Sequence, residues 1–241
     1  MHEVISMRRA LTLLLSCSFV CLVGCGQRYS VRMEKTLEKM RYAKRLDDNL
    51  APPPADGKLK DLAIYVRAPK GMERAKQFQL AALPPGQFDA EETFFEGNKS
   101  FLHVLARKKA EKKAAPKKDA PPVETAARGV FLDDVRNILT SYFDDADPAA
   151  AAAQKDSSHK SNLFKRSVFK GKGKNVEVYS INKDGYDTAL IFVIDPAEQA
   201  ALVTKVALTL ESFALGAKAK ALYSGAGSEE EAIESAGGVA F

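Results

Sequence analysis

Beyond the first two residues, His103 and His159 are the only imidazoles in the chain, and imidazole is the side chain best matched to proton transfer near neutral pH. Neither stands at a metal-ligand spacing from a cysteine or a second histidine. Both are therefore expected to be structural, His103 in a strand and His159 in a loop. Gly171-Lys172-Gly173-Lys174 has the residue types that cradle phosphate, but not the Gly-x-x-x-x-Gly-Lys-Ser/Thr spacing that wraps one at a helix start. It reads as a hairpin tip. Asp144, Asp145 and Asp147 have the oxygens for a divalent cation, yet Pro148 and the alanines after it do not continue a calcium loop. A charge cluster at a helix end is the simpler expectation. Ser141 lacks the strand–turn–helix elbow of a serine nucleophile. These residues predict no catalytic group, no cofactor and no metal.

The remaining chemistry is that of a thiol. The chain has three cysteines, Cys17, Cys21 and Cys25. Arg8 and Arg9 precede an uncharged run from Ala10 to Gly24 in which Leu11, Leu13, Leu14, Leu15, Phe19 and Val20 are apolar. A run of about 15 residues is too short to cross a bilayer core, which takes roughly 20. It matches the central region of a secretory signal. The run ends Leu22-Val23-Gly24-Cys25, which resembles the lipobox of bacterial lipoproteins. That resemblance implies a signal peptide over 1–24, cleavage before Cys25, and acylation of its thiol. Two or three acyl chains, at ~0.8 kcal/mol per buried methylene, would make release negligible. Gly26 stands where an Asp would favour inner-membrane retention, so the outer membrane facing the periplasm is the expected address. Met7, directly before Arg8-Arg9, would be a tidier start than Met1. After cleavage Cys25 is the sole cysteine, which excludes disulfides and cysteine metal sites. The remaining chain, about 215 residues, is long enough to fold on its own core.

Charge excludes little. The chain carries 36 Lys+Arg against 31 Asp+Glu. Without Arg8, Arg9 and Glu3, 34 basic face 30 acidic side chains. The excess is local: Lys108, Lys109, Lys112, Lys113, Lys117 and Lys118 lie in one stretch, and Glu229, Glu230, Glu231 and Glu234 in the tail. Such runs are solvated segments, and no nucleic-acid module accompanies them.

The elements follow from periodicity. Residues 25–57 are read as the lipidated N-terminus and an amphipathic helix from Ser30 to Leu46, with Met33, Leu37 and Met40 on a face that packs on the domain, the alternative being a stalk beside the membrane. Pro52-Pro53-Pro54 stops it. A single α+β domain is expected over 58–224. Leu62 to Val66 predicts a strand, Phe78 to Leu80 a short one, and Gly97-Asn98 the tip of a hairpin between Glu92–Glu96 and Ser100–Leu105. Residues 107–128, almost wholly Lys, Ala, Glu, Pro and Asp, predict a disordered insertion. Phe131, Val135, Ile138, Leu139 and Tyr142 mark a helix face, followed by a loop from Pro148 to His159. Three strands come next, Leu163–Lys170, Asn175–Asn182 and Thr188–Ile194, joined by Gly171-Lys172-Gly173 and Lys183-Asp184-Gly185. The wholly apolar third strand belongs in the middle of the sheet. A helix from Pro196 to Leu215 buries Val203, Val206, Leu210 and Phe213, with Asp195 as its cap and Gly216 at its end. Leu222-Tyr223 predicts an edge strand, and 225–241 a flexible acidic tail. The fold class is α+β, a mostly antiparallel sheet covered by helices.

That order resembles the PsbP-like fold. The likeness rests on a strand feeding Arg67-Ala68-Pro69-Lys70-Gly71-Met72, the Lys183-Asp184-Gly185 hairpin, and a final helix ending near Phe213-Ala214-Leu215-Gly216. The superfamily includes photosystem extrinsic subunits and DcrB-type periplasmic lipoproteins. The resemblance implies a non-enzymatic accessory or scaffold domain and carries no site residues with it. The expected function is thus a membrane-anchored lipoprotein presenting a binding domain at the cell envelope. Its expected partners are membrane lipid through Cys25 and an envelope protein. The alternative is an envelope-acting hydrolase or transferase.

Overall fold

In a computed structural model the described residues are 29–80, 83–84, 86–109, 129–145, 149 and 152–225. The signal segment, Cys25, most of the Lys/Ala/Pro stretch, Asp147 and the acidic tail lie outside them. The chain divides into two compact units, residues 1–45 and 46–241.

The described part of the first unit is helical from residue 29 to 45, within helix α1 of residues 29–49. Met33, Leu37 and Met40, the side chains assigned by spacing to a buried face, are instead exposed by 46, 45 and 64%. Six basic residues against Glu34 and Glu38 explain why helical spacing alone gives a helix here without a core.

In the second unit, Leu46 and Leu50 are buried, and a short helix α2 (Lys58–Asp61) leads into strand β1 (Ile64–Tyr65). Strands β2 (Glu73–Arg74), β3 (Ala90–Glu96) and β4 (Ser100–Lys108) come before helix α3 (Phe131–Tyr142). Then come β5 (Lys155–His159), β6 (Asn162–Gly171), β7 (Lys174–Lys183) and β8 (Tyr186–Ile194). Helix α4 (Gln199–Ser212), strand β9 (Ala214–Leu215) and helix α5 (Gly216–Tyr223) complete the described chain. Seven strands form one antiparallel sheet in the order β2-β3-β4-β8-β7-β6-β5. Strand β8, the Ala-Leu-Ile-Phe-Val-Ile run, is its middle strand, buried on both faces. Helices pack on the sheet, so the class is α+β as expected.

Hairpin chemistry fixes the register. The β7–β8 tip has Asp184 (φ 53°) and Gly185 (φ 78°) both left-handed, as a tight two-residue turn requires. Alternation then sends Leu102, Val104, Leu190 and Phe192 to one face, where Leu202, Val206, Leu210 and Phe213 cover them. Leu105, Ile191, Val193, Val176 and Val178 go to the other, under Phe131, Val135, Ile138, Leu139 and Phe143.

Several boundaries differ from expectation, each for a local reason. Strand β4 continues through Arg107 and Lys108, because Arg107 is buried and donates to Gln87 O, Gly129 O and Asp134 Oδ2. No strand forms at Phe78–Leu80; the backbone bends while Leu80 still reaches the core. His159 ends strand β5 rather than lying in a loop. In α4 the chain turns at Asp195, whose carboxylate accepts Ala197 N–H (3.0 Å). The helix begins later than Pro196, and its buried arc runs through Leu202, Val206, Leu210 and Phe213, which leaves Val203 54% exposed at its edge. Leu222 and Tyr223 end a helix, not a strand. That segment packs on the separate β1–β9 pair, where the Tyr223 hydroxyl donates to Ile64 O (2.9 Å).

Candidate functional site

The α3 face of the sheet is not fully covered, and His103 lies where the cover ends. Strand alternation points His103 to the same face as Phe101 and Leu105, and it pairs with Thr93 across β3 and with Ile191 across β8. Its ring stacks with Phe101 (6° between planes, centroids 5.8 Å apart) and meets the edge of Phe78 at 5.6 Å. It is 3% exposed. Burial away from any carboxylate drives its pKa down to about 3, so the ring is neutral at any physiological pH.

A hydrogen-bond relay fixes the tautomer. The Gln79 backbone N–H donates to Thr93 Oγ1 (3.2 Å). Thr93 Oγ1 lies 2.9 Å from His103 Nδ1, and its own hydrogen has no other acceptor among the described residues. The hydroxyl therefore donates to Nδ1, and the ring proton sits on Nε2. Nε2 has no partner among the described residues.

Beside His103 is a cavity of about 290 Å³. Phe101, Phe143 and Val193 give it apolar walls, and the Gln79 and Asn98 side chains add amides. Tyr142, Lys172 and Lys174 complete the lining. Phe143 is pressed tightly into place: a Cβ on Gly171 would lie 2.6 Å from its ring. The Gly171-Lys172-Gly173-Lys174 segment is the β6–β7 tip, as expected, with Lys172 (φ 50°) and Gly173 (φ 71°) left-handed. Both oxygens of Asp145 accept the Lys172 backbone N–H (2.8 and 2.7 Å). Asp145 thus braces the tip. The Lys172 ammonium rests on the Tyr142 ring, 4.2 Å from its centroid, while Lys174 Nζ is paired with Asp195 (2.8 Å).

Two further groupings bear on chemistry. Glu92 lies under a more open cleft of about 360 Å³. Its Oε1 accepts Arg74 Nη2 (2.9 Å) and Leu59 N–H (3.4 Å), while Oε2 has no hydrogen-bond partner. Burial raises its pKa against the pull of Arg74. His159 Nε2 lies 2.9 Å from Ser157 Oγ on the edge strand β5. Partial burial lowers the His159 pKa, and the Glu211 carboxylate opposes that. Ser141, in α3, takes no part in either grouping. Among the described residues no group of three His, Cys, Asp or Glu side chains is placed to hold a metal, and no helix is long and apolar enough to cross a membrane.

The sequence pointed to His103 as a strand residue but not to the cavity. The cavity depends on Phe101, Phe143 and the β6–β7 tip converging from distant segments, and only the register of the sheet reveals that.

No protein-family model matches the sequence, and no curated protein matches it. Among solved structures, the chain is similar to the solution structure of cyanobacterial PsbP (CyanoP) from Synechocystis sp. PCC 6803. The match has a TM-score of 0.42 and 10% identity, and covers 70% of this chain and 93% of that one. At that score and identity the likeness carries no functional argument.

Proposed function

We propose that this chain is a membrane-anchored lipoprotein of the cell envelope, held through acylated Cys25, whose α+β domain binds rather than catalyses. The observation that carries the binding reading is the state of His103. It is the one imidazole that lines a described cavity, and its neighbour Thr93 is buried with its hydroxyl 2.9 Å from the ring nitrogen Nδ1. A base with a pKa near 3 is far from the range in which general catalysis at neutral pH is efficient. It is well suited to hold a fixed N–H donor. The anchoring reading is supported by the Arg-Arg, apolar run and Leu22-Val23-Gly24-Cys25 pattern. Its expected address is the outer membrane, facing the periplasm, with an envelope protein as partner.

Metabolic labelling with a fatty acid tests the anchor. The chain should carry label and sediment with membranes, and Cys25→Ser should abolish both. Membrane retention of an unlabelled Cys25→Ser chain would overturn it.

One observation favours the alternative of an envelope-acting hydrolase or transferase. Ser157, His159 and the nearby Glu211 charge include the residue types of a hydroxyl nucleophile, its base and an orienting carboxylate. A fluorophosphonate probe decides between the two. Stoichiometric labelling lost in Ser157→Ala would establish the enzyme; an unlabelled chain leaves the binding reading standing.

A further inference from the structure

The binding reading leaves open what the cavity on the α3 face accepts, and its lining constrains the answer. Its residues include two lysines and no carboxylate. Lys174 is neutralised from outside by Asp195. Asp145 accepts the Lys172 backbone amide, and the Lys172 ammonium forms no ion pair among the described residues, resting on the face of Tyr142 instead. An ammonium held over a ring keeps its charge available while its position is restricted. His103, itself nine-tenths buried, lines the same cavity and offers it an N–H donor without a protein acceptor among the described residues, which a ligand acceptor can pair. The walls between these two groups are aromatic and aliphatic. A volume of 290 Å³ is close to that of ten water molecules, at the small end of ligand sites.

We propose that this cavity binds a small organic carboxylate with a flat apolar body. Its hydrocarbon part lies against Phe101, Phe143 and Val193, an oxygen accepts the His103 Nε2–H, and its negative charge is balanced by Lys172. A neutral amide of the same shape would keep the hydrogen bond and the apolar contact but lose the charge. A bare inorganic anion would keep the charge but lose the apolar contact. The cavity therefore discriminates in two separable ways. The relay from Gln79 through Thr93 turns the ring's acceptor nitrogen away from the ligand, so the ring itself presents a donor. This assignment rests on the domain being a binding domain.

The test uses the full chain in detergent micelles, with ¹⁵N-labelled histidine, titrated with phenylacetate, phenylacetamide and inorganic phosphate while the His103 ring resonances are followed. Phenylacetate should give a saturable shift at His103, with phenylacetamide about tenfold weaker and phosphate inactive. Lys172→Asn, which suits the left-handed tip, should weaken phenylacetate about tenfold and leave phenylacetamide unchanged. His103→Phe should abolish binding of both. Because the decisive titration is on the unsubstituted chain, a His103→Phe chain that failed to fold would not shield the proposal. No saturable shift with phenylacetate up to about 10 mM, an equal response to phosphate, or indifference to Lys172→Asn would each overturn it. Labelling at Cys25 is measured separately. A labelled, unliganded chain therefore sinks only this cavity assignment, while fluorophosphonate capture at Ser157 sinks the binding reading itself.

Discussion

The two faces of the seven-stranded sheet are covered by different means. On the α4 face, hydrocarbon does the closing: Leu202, Val206, Leu210 and Phe213 lie on Leu102, Val104, Leu190 and Phe192. Two of the polar side chains there are held in local networks, while the Thr188 and Thr209 hydroxyls are buried without a hydrogen-bond partner. Both oxygens of Glu177 are taken, Oε1 by Gln199 and Oε2 by Arg166 and the Tyr179 hydroxyl. Asn162 donates to Leu210 O and Phe213 O at the end of α4. On the α3 face the helix is shorter, 12 residues against 14. A polar clip at Arg107 fastens one end, and the other end stops short of His103. The α3 face, pinned at one end by charge, is left open at the other beside His103, and the proposed binding site rests on that opening.

The contrast is broken most directly by truncating one ring on each face. Phe192 is fully buried under α4, and Phe192→Ala should cost about 4 kcal/mol through lost burial and an unfilled cavity. Phe101 already borders open volume, so Phe101→Ala should cost about 1 to 2 kcal/mol. Urea midpoints at unchanged slope measure both. Equal losses would mean that the α3 face is as tightly sealed as the other.

The clip gives the next effect. Arg107 is buried, pairs with Asp134 Oδ2 at 2.6 Å and lies over the Phe88 and Phe131 rings. It also donates to Gly129 O, so it ties the end of β4 to the residues that lead into α3. Arg107→Ala leaves Asp134 and two carbonyls without their donor and should cost about 3 kcal/mol. Hydrogen exchange should show α3 amides losing protection while those of α4 keep theirs. Loss of protection spread evenly over both helices would contradict a clip local to one face.

Much of this was legible in the sequence because it depends on local rules. Asp184-Gly185 between apolar runs dictates a hairpin. The uninterrupted apolar β8 run requires a strand covered on both faces, and Gly97-Asn98 sets the turn of the β3–β4 pair. What was not legible depends on tertiary partners. Arg107 looked like the first residue of a lysine-rich spacer, because nothing in its neighbours shows that Asp134 and Gly129 await it. Val203 and Leu202 are equally apolar, and only the seating of α4 on the sheet decides which one is buried. Leu222-Tyr223 has strand composition, but a hydroxyl bond to Ile64 O is compatible with the helix that forms. The candidate site was the least legible part. Its signature residue is a histidine whose strand was foreseen, while the Thr93 relay and the open volume beside it exist only once β3, β4 and α3 are assembled.

An effect absent at neutral pH tests the open end of the α3 face. His103 is neutral in the fold with a pKa near 3, against an ordinary value of 6.5. Between those two values the unfolded chain binds the proton and the folded one does not. The stability associated with the neutral ring is thus intact above about pH 6.5 and is lost as pH falls toward 3, at up to ~1.4 kcal/mol per pH unit. His159, also lowered, contributes in the same direction, while Glu92, raised by burial, gains stability as pH falls and partly offsets both. The difference between the unsubstituted chain and His103→Phe cancels those other groups. It should be flat above pH 6.5 and change steadily below it, in favour of the Phe chain. The lost Thr93 hydrogen bond adds only a pH-independent offset. A difference that stays flat from pH 7 to pH 4 would mean that water or a local opening reaches the ring and lets it protonate in place. His103 would then be a solvated surface group, and the distinction between a sealed face and a face holding a fixed donor would fail at that residue.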